Sequence, residues 1–258
     1  MATIGRSILS SSLLTPALTR RWMKPVAHSA NPDFAVGSPW EIARIKLPQA
    51  NRVVELYTKT GALPQYNSLF VLIPDWGIGL TVLAGGPGSW EVLTELIGRI
   101  YLPAVEDAAR AEADRLYSGT YVSSDPNLNS SITLTTDPSL PGLGISNFIS
   151  NGTAVLQSYT ALNGVNISVS DLSYRLYPTN LITQGTNGDK KVAWRSSIEY
   201  AGGPDPPAQV FDFRCFNWGS VDGIIYGGRS TDDFVMTVGG GGAKSIEPRF
   251  LRVVLDKV

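Results

Sequence analysis

The apolar positions of this chain change period twice along its length. Residues 53–86 read VVELYTKTGALPQYNSLFVLIPDWGIGLTVLAGG and hold three strand-like runs, at 53–57, 68–73 and 79–84. The second and third are almost wholly apolar, the pattern of strands covered on both faces. Pro74-Asp75-Trp76-Gly77 between them supplies turn chemistry, with Pro setting φ and Gly suited to positive φ. The period then becomes helical: Leu93, Leu96, Ile97, Ile100 and Ala104 form one stripe expected to cover the sheet, with Ser89 as N-cap, Glu91 in the first turn and Pro103 as a kink. A more polar helical stretch continues over 106–115.

From Leu116 the pattern becomes short strands separated by turns, at 131–136, 143–150, 153–159, 168–177, 192–200, 210–218, 223–226, 233–238 and 250–255. Ile132 with Leu134 and Tyr174 with Leu176 show the two-residue alternation of a half-buried strand, and Gly239 to Gly242 reads as a hairpin loop. Strands of this length and spacing predict an antiparallel sandwich or barrel. The chain is therefore read as α+β, divided into residues 1–115 and 116–258. Upstream, Pro16 interrupts the first helical stretch, residues 19–25 read as a short helix or turn, 31–39 as a loop, and 40–47 as an extended run.

Composition narrows the chemistry. With 258 residues, 17% of them charged and a net charge of −1, the chain has no electrostatic footprint for nucleic acid or an anionic membrane. Asp75 and several glycines break the longest apolar run, so no spanning helix is predicted. Cys215 is the only cysteine and His28 the only histidine, so no intrachain disulfide forms and no metal site or cofactor is expected. Cys215, between Phe213, Phe216 and Trp218, reads as a small buried hydrophobe. His28 reads as a loop or capping residue. Gly85-Gly86-Pro87-Gly88-Ser89 lacks the Lys-Ser/Thr of a phosphate loop. Asn129, Asn151 and Asn166 begin Asn-x-Ser/Thr sequons, which tilt toward a glycosylated, secreted protein.

Lys59-Thr60-Gly61 at the end of a strand, followed by an apolar hairpin with a Pro-containing turn and then a helix, resembles the third active-site box of serine beta-lactamases and penicillin-binding-protein-like hydrolases. GRSILSSSLLTPALTRRWMKP and FAVGSPWEI before it are similar to the segment leading to that strand in fungal beta-lactamase-related hydrolases. Leu116-Tyr117-Ser118-Gly119-Thr120-Tyr121 resembles the start of the β-rich domain appended to them. On this resemblance residues 1–115 are the C-terminal portion of a beta-lactamase-like domain, a partial antiparallel sheet with a covering helix. Residues 1–32, although basic and free of acids, are then an internal helical region and not a mitochondrial presequence. No secretory signal is read in the chain, while the family itself is extracellular.

The resemblance implies roles. Lys59 and Thr60 bind a substrate carboxylate or polarise the nucleophile's neighbours, Gly61 leaves room for substrate, and the Ala62 N–H contributes to an oxyanion hole, on amide or ester substrates. It also implies a five-stranded sheet, two of whose strands come from the start of the domain, so that the strand at 79–84 presents an unpaired apolar edge to a partner chain. The first two boxes are missing: no serine has a lysine three residues on, and no tyrosine has the spacing to asparagine of the second box. Ser29-Ala30-Asn31 matches the serine form of that box but lies too near Lys59. Tyr66, beside Asn67 in the following turn, is expected to pack. The expectation is the C-terminal half of a serine hydrolase, inactive alone. The alternatives are a binding module carried by the β-rich domain, or a biosynthetic enzyme using the residual pocket without a covalent step.

Overall fold

The apolar run from Leu69 to Ile73 becomes an interior strand covered on both faces. The computed structural model describes residues 1–86, 89–162, 168–200, 219 and 221–258. The strand predicted over 210–218, Cys215 and the sequon at Asn166 lie outside them. The chain forms two units, Met1–Ala109 and Arg110–Val258.

The first unit holds α1 (Ala2–Leu9), α2 (Pro16–Trp22), β1 (Ala27–His28), β2 (Phe34–Val36), β3 (Glu41–Leu47), β4 (Arg52–Leu63), β5 (Tyr66–Ile73), β6 (Ile78–Gly85) and the N-terminal part of α3 (Ser89–Tyr117). The strands form an antiparallel sheet in sequence order, β1 to β6. Along β5 the side chains alternate between two cores. Leu69, Val71 and Ile73 join Val54, Val82 and the α3 residue Leu102. Phe70 and Leu72 join Ile42, Trp40 and Tyr57, with Ile8 and Trp22 of α1 and α2 packed against them. Helices thus cover both faces. α1 approaches closely because residue 5 is glycine: a Cβ there would lie 3.1 Å from Leu72 Cδ2 and 3.3 Å from Phe70. Arg52 ties β4 to the β5–β6 turn and to α3, through Asp75 at 2.5 Å and Glu106 at 3.5 Å.

Several expectations change. The sheet has six strands, all from this chain, because β2 forms within the stretch read as a loop and β1 just before it; two or three residues are too few to show a period. The Pro-Asp-Trp-Gly turn forms as predicted, with the Gly77 N–H donating to Pro74 O at 3.1 Å and φ +66° at Gly77. β6 is not covered on both faces. As the last strand it alternates, Val82 6% exposed and Leu83 73%. The helical stripe does not face the sheet either: Leu96 and Ile100 are 54% and 65% exposed, whereas Leu102, outside the stripe, is buried. The helix does continue past Pro103 to Tyr117, as read.

The second unit completes α3 and continues with β7 (Gly119–Ser123), β8 (Ser131–Asp137), β9 (Leu140–Ser150), β10 (Thr153–Ala154), α4 (Val155–Leu162), β11 (Leu172–Gln184), β12 (Lys190–Tyr200), β13 (Ile225–Tyr226), β14 (Arg229–Ser230), β15 (Asp233–Gly239), β16 (Gly242–Pro248) and β17 (Leu255–Lys257). Pairing runs β9–β11–β12–β15–β16–β17–β7–β8, and β8 returns to β9, closing an antiparallel barrel. Of the predicted sandwich or barrel, the barrel forms. Ile132, Leu134, Tyr174 and Leu176 point inward as their alternation predicts, beside Phe234, Met236 and Ile246. Arg175, between two inward residues, is buried under the β8–β9 turn and donates to the carbonyls of Leu140, Pro141 and Gly142.

The strand expected over 153–159 is mostly helix. Asn151 and Gly152, both at positive φ, close the tight β9–β10 turn. Val155 and Leu156, in the first turn of α4, then pack against the barrel core. Here tertiary burial outweighs β propensity. β7 and β16 were not read as strands, and the run at 250–255 yields only β17. Replacing Leu102 by Ala is expected to cost the first unit about 2–5 kcal/mol, and Ile100→Ala less than about 0.5 kcal/mol; urea unfolding followed by tryptophan fluorescence distinguishes them.

Candidate functional site

β4 is longer than its partner on one side. β3 begins at Glu41, opposite Thr58, so residues 59–63 of β4 pair only with β5. Lys59, Thr60 and Gly61 therefore sit within the strand, not at its end, on a stretch whose other edge is open. Glu41 caps that edge. Its carboxylate accepts from the Thr60 backbone N–H at 3.1 Å, from Thr60 Oγ1 at 3.0 Å, and from Lys59 Nζ. Thr58 Oγ1 donates to the Glu41 backbone carbonyl at 2.6 Å, fixing the end of the ladder.

These donors, an ammonium, a hydroxyl and a backbone N–H, are the set that recognises a carboxylate. Here an internal carboxylate already holds them. Burial acts to raise the Glu41 pKa, but the hydrogen bonds from Lys59 and Thr60 outweigh it and hold the group below the ordinary 4.5. The ion pair is half-exposed, with side-chain exposures of 45% for Lys59 and 30% for Glu41. Such a pair contributes at most about 1 kcal/mol.

Beyond the triplet lies an open depression of about 550 Å³, bordered by Gly61, Ala62, Leu63, Tyr66, Asn67 and Leu83 among others. A Cβ at Gly61 would meet Ser68 Oγ at 2.8 Å, so the glycine makes room for its cross-strand neighbour. Tyr66 is 69% exposed and lines the depression, against the expectation that it packs; its ring lies beside Gly85. Ala62 is exposed and pairs with Asn67.

Residues 109–258, more than half of the chain, match a family model described as "Beta-lactamase-like-like, C-terminal domain". The chain belongs to this beta-lactamase-like family. It is 28% identical to a "Beta-lactamase-like protein" of Arthroderma benhamiae, over 98% of this chain and 46% of that protein. Proteins named as probable hydrolases in Phoma sp. and Cochliobolus lunatus are 27% and 28% identical over 88% of this chain and 38% and 37% of their own lengths. The chain spans less than half the length of these relatives.

Ser29 lies in the β1–β2 turn, its Oγ donating to Asn31 O at 2.8 Å and Phe34 O at 2.9 Å. His28 is exposed on β1. Asn129 and Asn151 are exposed on the second unit. Among the described residues no group of three His, Cys, Asp or Glu side chains gathers as for a metal, and no helix is long and apolar enough to cross a membrane.

Glu41 went unread because it lies 18 residues before Lys59 and meets it only through the register of β3 against β4. In a carboxyl-carbon pH titration Glu41 is expected to show a midpoint below 4.5, which Lys59→Ala raises. The sign follows: a carboxylate with a depressed folded pKa adds its stability above the unfolded pKa and loses it as pH falls through the folded one. The Glu41→Gln variant should lack that part of the acid destabilisation.

Proposed function

We propose that this chain supplies the carboxylate-recognising wall of a serine hydrolase of the beta-lactamase type, together with its appended barrel, and that alone it carries out no acyl transfer. The convergence of Lys59, the Thr60 hydroxyl and the Thr60 N–H on one carboxylate carries the reading. An amide or ester substrate bearing a carboxylate binds by displacing Glu41. The chemistry such a wall serves, attack by an activated serine and hydrolysis of the acyl-enzyme, needs a nucleophile paired with a base, and no serine in this sequence has a lysine three residues on.

Two surfaces of the first unit support a further polypeptide completing the site. Among the described residues β6 ends the sheet with an open edge. Val92, Leu93, Leu96, Ile97 and Ile100 form an exposed apolar stripe on α3. A paired strand and an apolar partner remove both liabilities. We place the protein outside the cell, with glycans on the exposed Asn129 and Asn151.

Incubation of the purified chain with a chromogenic cephalosporin, with short-chain esters and with a fluorophosphonate probe is expected to give neither turnover nor a labelled serine. Turnover or labelling that Lys59→Ala abolishes would overturn the proposal. Expression through a secretory pathway is expected to add mass at Asn129 and Asn151, removable by an amide-cleaving glycosidase.

A further inference from the structure

The barrel holds a cavity that the hydrolase reading does not use. It encloses about 740 Å³ between α4, the inner ends of β11 and β12, and the segment carrying Phe250 and Leu251. That volume suits a small organic molecule, and an eight-stranded barrel is just wide enough to admit one. Its walls are mainly apolar: Leu156 from α4, Ile198 from β12, Phe250 and Leu251. Ile225 and Tyr226 of β13, 65% and 63% exposed, lie at its rim. Large apolar groups left in water beside an apolar cavity are the surface a ligand would cover.

The polar lining decides what kind of molecule fits. The one charged group on the described wall is Asp232, and its carboxylate is engaged. Arg195 Nη1 donates to Oδ1 at 2.8 Å, Ser230 Oγ donates to the same oxygen, and the Asp222 N–H reaches Oδ2 at 3.2 Å. The same guanidinium nitrogen also donates to Asp222 Oδ1 at 2.7 Å, so one cation serves two carboxylates. No Lys, Arg or His side chain lines the described wall. An anion entering the cavity would face the excess negative charge with no cation to meet it. The other polar groups on the described wall are neutral, among them the hydroxyls of Ser158, Thr231, Ser196, Tyr159 and Tyr174; Ser158 Oγ donates to Ala154 O at 3.1 Å and Thr231 Oγ1 to Ile224 O at 3.3 Å, which leaves their oxygens as acceptors. Burial, and for Tyr159 the nearby Asp232, raise the pKa of both tyrosines, so their hydroxyls stay neutral.

We propose that the barrel cavity binds an uncharged, mainly apolar small molecule bearing a hydroxyl group. Apolar burial supplies the affinity, and hydroxyl oxygens of the wall such as those of Ser158 and Thr231 accept from the ligand's hydroxyl. The site lies within the second unit and requires neither the triplet at 59–61 nor any acyl chemistry.

Two fluorophores with the same ring system test it on the full chain. N-phenyl-1-naphthylamine is neutral, and 1-anilinonaphthalene-8-sulfonate differs by its sulfonate. The neutral probe is expected to saturate at one site per chain, and the sulfonate to bind about tenfold more weakly or less. Leu156→Trp and Leu251→Trp, which enlarge lining side chains from two different elements, are each expected to weaken the neutral probe about tenfold or more while the chain still melts as a folded protein by circular dichroism. The proposal is overturned if the neutral probe fails to saturate, if the sulfonate binds as tightly, or if a folded Trp variant binds the neutral probe as the parent does. If one substitution prevents folding, the other variant and the comparison of the two probes on the parent chain still decide.

Discussion

The first unit depends on the burial of both faces of β5. Leu69, Val71 and Ile73 enter one core while Phe70 and Leu72 enter the other. A one-residue slip would exchange the two sets and carry Phe70 into the space shaped for smaller side chains. With β5 pinned, β4 is pinned beside it from Tyr57 to Leu63, and β3 beside β4 from Glu41 to Leu47. The encounter of Glu41 with Lys59 follows from this chain of registers. No local preference of the triplet produces it.

That encounter explains the chemistry of the wall. A strand edge without a partner must satisfy its N–H groups in another way. Glu41 satisfies one with a carboxylate and gathers the neighbouring ammonium and hydroxyl by the same means. The arrangement that recognises a carboxylate is thus kept in order by one. Any external carboxylate at this place would have to compete with a tethered group whose effective concentration is high.

The two units handle hydrogen-bonding edges in opposite ways. In the barrel, β8 pairs with β9 and no edge is left around the ring. In the sheet, β6 keeps a free edge, and α3 beside it in sequence exposes an apolar stripe. A closed ladder satisfies its own backbone groups, while an open one beside exposed Leu and Ile leaves backbone donors and apolar surface in water. The closed unit also holds a cavity, lined among others by Leu156 of α4 and Leu251 after β16.

Much of this was legible from residue order. The α+β class, the three strands around 53–84, the Pro-Asp-Trp-Gly turn, the inward alternation of Ile132 with Leu134 and Tyr174 with Leu176, and the family itself all rest on local signals: period, turn chemistry and a short motif. Such signals act over a few residues and survive into the fold because nothing distant opposes them. What the sequence alone left open was decided at a distance. The face of α3 that is buried depends on what the sheet offers it, so Leu102 is buried and the better-patterned stripe is not. Residues 153–159 are mostly helix, and the first turn of that helix, at Val155 and Leu156, packs against the barrel core. Glu41 joins Lys59 and Thr60 only through strand register. The hydroxyl-lined cavity is assembled from α4, β11, β12 and the segment after β16, which are up to about a hundred residues apart. Periodicity states which residues seek burial; only the packed chain states against what.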